Sequence, residues 1–516
     1  MSRGLSVLCV VATTTLAVLT PSFGHGVQDP PPNQIRAYRE AHESEILEEF
    51  AAFLSIPNVA SDGNNIRKNA SAVLDMMRRR GIETRLLEGG GPPAVFGELR
   101  VPGATRTLAF YAHYDGQPVD PAKWSDDPFK PTLRDGPVAN GGRVIPFPAR
   151  GARVNPEARL YARSASDDKA PIIGLLASLD AMRSAGIRPT SNLKFFFEGE
   201  EEAGSRHLES VVADNAKLLG ADVWICADGP VHQTRKQLLY FGVRGIVSAT
   251  ITVYGPNRGL HSGHYGNWAP NPVMRLAKLL ASMKDGEGRV LIDGFYDDVE
   301  PLGAAEMKAI DEMPRVDSDL MKEYGLAATD GGGRSLAELL TQPSLNIDGI
   351  RSEYVGAEAR TIIPDRATAS LDMRLVKGED PERKMQRLVA HIKKMGYLVV
   401  SEEPGDELRL EHPLIARVVG TKGYRAVRTS MSLPVSRRVI AAVEKAIGYK
   451  PVLAPTLGGS VPLYIFDSTT HSAQIGVPIV NHDNNQHGVD ENLRIQNLWH
   501  GIEIFAALMC MDWGER

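Results

Sequence analysis

The chain has 516 residues, 23% of them charged, a formal net charge of −5 and only three cysteines. This length exceeds one ordinary hydrophobic core, so two domains are expected. The near balance of charge, with no basic stripe, excludes a nucleic-acid-binding footprint, and so few cysteines exclude a disulfide scaffold.

Residues 1–25 read as a secretory signal: Arg3 is the positive start, Leu5 to Leu19 the apolar run, and Ser22 and Gly24 are small enough for cleavage. The run is short for a membrane span, and no later segment reads as transmembrane. The mature protein is therefore expected to be exported, periplasmic or released, with no membrane contact after signal removal. It keeps Cys226 and Cys510, and a disulfide between them stays open.

Asp29-Pro-Pro-Pro is a linker, and residues 30–243 form the first part of a catalytic domain. The spacing of Ile46, Phe50 and Leu54 predicts a helix over 37–54, and a second runs over 70–80 to a stop at Gly81. Strands are expected at 83–87, 95–100, 107–112, 192–197 and 222–227, with helices over 171–184 and 208–218 between them. That alternation is a mixed α/β sheet. Residues 136–157, rich in Gly, Pro and Arg, read as a loop inserted beside the site. From 244 to 428 the order changes: strand 246–253, helix 272–283, strands 352–355 and 367–374, helix 381–394, strand 397–402, with an irregular stretch over 285–345. This βαββαβ order is a ferredoxin-like unit. The α/β domain resumes over 429–516 with a helix at 434–447, so the smaller domain is inserted into the larger.

Polar residues collect where apolar runs end. Leu193 to Phe197 runs into Glu198-Gly-Glu-Glu-Glu, and Leu108 to Ala112 into His113-Tyr-Asp115. Leu160 to Ala162 leads to Asp167-Asp-Lys, Val223 to Ala227 ends in Asp228, and Val477 to Val480 leads to a turn with His482 and His487. Ligands of open α/β sheets bind outside the carboxyl ends of strands, so these pieces describe one site. Adjacent carboxylates raise each other's pKa, which makes sense where a cation holds one and the other moves a proton. Mixed imidazole and carboxylate donors suit Zn²⁺, with Mn²⁺ or Co²⁺ as alternatives, and their number fits two ions sharing a carboxylate. Taken singly the residues have plainer readings: His113 as a core histidine satisfied by Asp115, Asp228 as a cap, His261 as a structural loop residue, Arg374 as a partner of Asp372 or Glu358.

Seven pieces, in order and across nearly all of the mature chain, carry a resemblance: Ala112-His-Tyr-Asp-Gly-Gln-Pro-Val, Ala165-Ser-Asp-Asp-Lys, Glu198-Gly-Glu-Glu-Glu-Ala-Gly-Ser, Leu260-His-Ser-Gly, Arg360-Thr-Ile-Ile-Pro, Gly458-Gly-Ser-Val-Pro and His487-Gly-Val-Asp-Glu. Together they resemble the di-zinc metallopeptidases that include cytosolic non-specific dipeptidase, carnosinase, succinyl-diaminopimelate desuccinylase and acetylornithine deacetylase (peptidase family M-twenty). The resemblance implies a zinc-peptidase catalytic domain with an inserted dimerisation or lid domain. It implies that His113, Asp167 and Asp228 hold one zinc, and that Asp167, Glu202 and His487 hold the other. Glu201 would be the general base and later the acid, and Asp115 would orient His113. His261 would stabilise the oxyanion across a homodimer interface. Thr361, Arg374, Gly459 and Ser460 would hold a substrate carboxylate, a task suited to the arginine fork. A cis peptide between Asp167 and Asp168 is implied as well.

The chain departs from the family pattern at Ala162, Ser164 and Ala170, where glycines are usual, and at Thr456, where an arginine is common. The leading expectation is an exported di-zinc peptidase acting on short peptides, because the resemblance associates Asp at 228 with dipeptidases and aminopeptidases. The alternative is an N-acyl amino acid amidohydrolase using the same site. A non-catalytic binding protein would have lost Glu201 or a ligand, and none is lost.

Overall fold

The computed structural model describes Met1 and residues 32–514; the expected signal, Met1 apart, lies outside the described residues. Its larger sheet has eight strands. At the centre, Thr107–His113 pairs in parallel with Asn192–Glu198 on one side and Val223–Cys226 on the other. Ala473–Gly476 continues the parallel set beyond Val223–Cys226. Ala94–Leu99 and Glu83–Leu87 add antiparallel strands at one end, and Leu238–Tyr240 and Val452–Ala454 complete the other.

The central strands are continuously apolar because both faces are covered. Leu108 and Phe110 enter one core and Ala109 and Tyr111 the other; Phe195 and Phe197 face the first, Phe196 the second. Helices Lys169–Ser184 and Ile495–Met509 cover the first face through Leu175, Leu176, Ile502 and Phe505. Helices Leu208–Asp214 and Leu463–Thr470 cover the second through Val211, Ile465 and Phe466. Cys226 and Cys510 lie in different cores, and no disulfide joins them.

All five strands of a second sheet come from between residues 245 and 420: in spatial order Ser344–Arg351, Arg366–Leu375, Gly245–Tyr254, Ile415–Gly420 and Leu398–Val400. Helices Pro272–Ala281 and Pro381–Lys394 pack on one face through Leu276, Leu279, Leu388 and Ile392.

Several expectations need correction. The helix over 37–54 is two, Pro32–Ala41 and Glu43–Leu54, broken at His42, whose ring stacks on Tyr38 at 4.0 Å. Residues 352–355 are not a strand; the strand is Ser344–Arg351, where only Leu345 is buried. An edge strand open to solvent on nearly every residue shows no alternation to read. Residues 398–400 do form a strand, but at the sheet edge and parallel to Ile415–Gly420, which takes the place beside Gly245–Tyr254. The stretch 285–345 is not irregular: it holds helices Ala304–Glu312, Asp317–Glu323 and Leu336–Leu340. Each is short, below the length at which periodicity is informative. Among the described residues no helix is long and apolar enough to cross a membrane.

Candidate functional site

The parallel strands end on one side of the larger sheet, and the polar residues gather there. His113 closes its strand in register with Glu198, and Asp228 follows Val223–Cys226. Two clusters of potential ligand atoms result, each lying within 4.8 Å: His113, Asp167 and Asp228, and Asp167, Glu202 and His487. Asp167 belongs to both. Its Oδ1 lies 2.9 Å from His113 Nε2, and its Oδ2 lies 3.1 Å from His487 Nε2, which is 3.2 Å from Glu202 Oε2. The Asp167–Asp168 peptide is cis, as expected.

Behind this pair the fully buried Asp115 does two things. Its Oδ1 is 3.3 Å from His113 Nδ1, and its two oxygens accept from the backbone N–H of Glu201 (3.1 Å) and Glu202 (3.0 Å). It therefore orients the imidazole and anchors the turn that presents both glutamates. Gly199 is required just before that turn, because a Cβ there would come within 2.3 Å of Tyr114 Oη. Glu200 turns away and meets His207 Nδ1 at 2.9 Å.

The carboxylates of the two clusters crowd one another in a buried setting. Burial, reinforced by Asp167, raises Asp228 to about 7. Burial also raises Glu201 well above its ordinary range; His113 opposes the shift, and Asp228 and Glu198 add to it. Although burial works against charge on Asp167, hydrogen bonds from His113 and His487 hold its carboxyl far below the usual range. Hydrogen bonds to Asp167 and Glu202 raise His487 to about 10. Two imidazoles and three carboxylates converging within these distances fit hard-to-borderline divalent metal ions.

The clusters open on a cleft of about 460 Å³ lined by Asp167, Glu201, Asp228, Arg374, Ser460 and His487, with Gly459 also in its wall. Arg374 reaches it from the smaller sheet: its Nη1 donates to Ser460 Oγ at 2.8 Å, while its Nε donates to Asp372 at 3.3 Å. The plainer reading of Arg374 as a partner of Asp372 thus describes half of its contacts. His261 and Thr361 are not brought to this cleft. They sit together on a short antiparallel pair, Leu260–His261 with Ile362–Ile363, where Ser262 N donates to Thr361 O, and both side chains are exposed. The loop 136–157, expected beside the site, contributes nothing to the cleft lining, nor does Thr456.

Ser164 holds the left-handed backbone that a glycine would favour, at φ 62°. Its Oγ accepts from Asn58 Nδ2 at 2.8 Å, which helps fix the turn despite the added side chain. The sequence reading missed three polar residues: Gln117, whose Nε2 donates to Glu202 (2.8 Å), Gln486, whose Nε2 donates to Asp167 Oδ2 (2.6 Å), and Glu491. All three fall inside or beside quoted motifs, and that adjacency was the available signal.

Residues 109–510 match the family description "Peptidase family M20/M25/M40". The Cys-Gly metallodipeptidase dug1 of Schizosaccharomyces pombe is 26% identical over 90% of this chain and 95% of its own. The human Beta-Ala-His dipeptidase is 25% identical over 96% and 97%. Among solved structures, an M20 family metallo-carboxypeptidase, Sso-CP2, from Sulfolobus solfataricus superposes with a TM-score of 0.73 at 28% identity, covering 90% of this chain and 99% of that one.

Proposed function

The chain belongs to peptidase family M20/M25/M40 and is a metal-dependent peptidase, and from that premise we propose that it hydrolyses dipeptides at a centre of two zinc ions. The observation that carries this reading is the pair of ligand clusters sharing Asp167, with Glu201 and Arg374 on the same cleft. His113, Asp167 and Asp228 would hold one ion, and Asp167, Glu202 and His487 the other. When bound, the ions supply Lewis acidity that polarises the scissile carbonyl and acidifies the attacking water. Glu201 accepts the proton from that water and returns it to the leaving amine nitrogen. Arg374, Ser460 and Gly459 hold the carboxylate of the substrate, and the distance of that anchor from Glu201 limits peptide length.

His261 and Thr361 complete this site in our reading from the second subunit of a homodimer. The support is exposure: within the same inserted segment Trp268 is 79% exposed and Val355 85%, and Ile350 is exposed on the edge strand Ser344–Arg351, whose outer side has no strand beside it. Large apolar groups left open beside an unpaired strand edge mark an interaction surface. We take 244–428 as the inserted dimerisation domain, between catalytic segments 30–243 and 429–516. Its helices on one face and its spatial order of second, third, first and fifth strands support a ferredoxin-like unit, with the fourth, Leu398–Val400, as an addition at the edge. Export rests on Arg3 and the apolar run after it.

The test is a hydrolysis screen with zinc-loaded protein against dipeptides, tripeptides and N-acyl amino acids. Turnover of dipeptides well above the other two classes is expected. Preferential release of acyl groups from N-acyl amino acids would replace this reading with the deacylase alternative, which the dipeptidase relatives do not favour.

A further inference from the structure

The carboxylate of Glu491 takes no part in the chemistry above, yet it is fully buried and accepts five hydrogen bonds. Three reach Oε1: from Ser166 N at 3.0 Å, Ser166 Oγ at 2.8 Å and Asp167 N at 2.9 Å. Two reach Oε2: from Ser164 N at 3.0 Å and Arg163 Nη1 at 2.7 Å. The donors are consecutive pieces of one turn, and that turn ends at Asp167. Arg163, itself buried, uses its other nitrogen to donate to Gly488 O at 3.0 Å, one residue past His487. Glu491 lies four residues beyond His487 on the same loop, and its own carbonyl accepts from Ala162 N at 3.2 Å.

The two ligand clusters therefore depend on this network unequally. His113 and Asp228 stand at the ends of neighbouring parallel strands, held by the sheet whatever happens at Glu491. Glu202 is held by Asp115. Asp167 and His487 come from a turn and a loop without strand pairing, and the Glu491–Arg163 pair ties one to the other. Ser164, His487 and Asp490 all carry positive φ; the two segments leave a short ladder, Arg159–Tyr161 against Asn492–Arg494, and Asp167 and His487 lie beyond its end, where no ladder bond holds them.

We propose that Glu491 is a positioning residue that fixes the separation of Asp167 and His487, and so sets the affinity of the Asp167–Glu202–His487 cluster for its ion. This rests on the two-ion reading of the site. A carboxylate is needed because all five partners are donors; in Gln one oxygen becomes an NH₂ that faces donors and accepts from none. Loss of such a supporting partner typically costs roughly 10–100-fold in metal affinity or activity.

The experiment is competition between a chromophoric chelator and the zinc-loaded full chain, for wild type, Glu491→Gln, Ser166→Ala and Asp167→Asn, with circular dichroism of each metal-stripped protein as the check on folding. Wild type should release two ions. Glu491→Gln should release one of them at roughly 10–100-fold lower chelator strength and the other, which shares only Asp167 with it and keeps His113 and Asp228, with a clearly smaller shift, with kcat reduced more than KM is raised. Ser166→Ala removes a single bond to Oε1, should remain folded, and should shift the same ion in the same direction by less; if Glu491→Gln does not fold, it decides the matter alone. Both ions held as in wild type, or both weakened equally, would overturn the role of Glu491. Fewer than two ions in wild type, or two retained by Asp167→Asn, would overturn the reading of the site instead.

Discussion

His113, at the end of a parallel strand in the cleft, and His261, in the loop pair on the smaller sheet, are in opposite states. His113 is buried between Asp115 and Asp167, each at about hydrogen-bonding distance. His261 is exposed; its Nδ1 accepts from Gly263 N at 3.0 Å, and its ring stacks near His264 at 4.5 Å. In the cleft, His113, Asp167, Glu202, His487 and Arg374 each meet another side chain of the same chain, and Asp115 accepts from two backbone N–H groups. The loop pair has its backbone satisfied and its side chains open. Apart from the half-exposed His487, the ligand residues of the cleft are largely buried, whereas the inserted segment that carries the loop pair displays Trp268 and Val355 to solvent. On the proposed reading, a second subunit covers those groups.

The largest effect should come from the cleft. Glu201→Gln keeps size and removes the proton acceptor, so turnover should fall by roughly 10²–10⁴-fold while both ions remain on elemental analysis. Unchanged turnover would move the base elsewhere. Glu200, committed to His207, is no substitute.

His261→Ala tests the open region and should cost roughly 10²–10³-fold, the usual loss of one oxyanion donor. Mixing it with Glu201→Gln under subunit exchange sharpens the comparison. If His261 serves the neighbouring subunit, a mixed dimer has one intact site and activity returns. A mixture that stays inactive, or an active monomer in solution, would break the distinction between the two regions.

Arg374→Ala lies where the regions meet. It should raise KM for free dipeptides by about 10-fold or more, from loss of a charge-assisted hydrogen bond of about 1.5–3 kcal/mol, and affect C-terminally amidated dipeptides far less. Equal effects on both substrates would remove Arg374 from carboxylate binding.

The smallest effect is on stability. Burial raises the Glu198 carboxyl to about 7 from 4.5, so in metal-stripped protein this group favours the folded state below about pH 4.5 and progressively disfavours it as pH rises through 7. Glu198→Gln should flatten the fall in Tm across that window. A slope unchanged from wild type would show that Glu198 ionises in the folded protein at its ordinary pH.

Much of the cleft was legible in the residues because its chemistry is local. A strand must end where its apolar run ends, so His113, Glu201, Glu202 and Asp228 announce themselves, Asp167-Asp168 and the turn with His482 and His487 stand out a few residues beyond such runs, and the resemblance chose Asp167 and His487 and supplied the pairing of ligands. The smaller sheet was read less well: Ser344–Arg351 is open to solvent and carries no alternation, and Ile415–Gly420 shows its place only through its neighbours. The helices between 304 and 340 are too short to leave a period.

The sequence by itself determined the α/β class, the run of each central strand and the residue types at the strand ends, since burial on both faces and metal chemistry each leave few acceptable residues. Only the tertiary structure decided what depends on segments distant in the chain. It brought Arg374 of one sheet to Ser460 beside the other, kept His261 and Thr361 outside the cleft, and set Glu491 beneath the Asp167 turn more than three hundred residues earlier. No local pattern encodes such a contact, because its energy comes from donors and acceptors that meet only when the two segments are folded against each other.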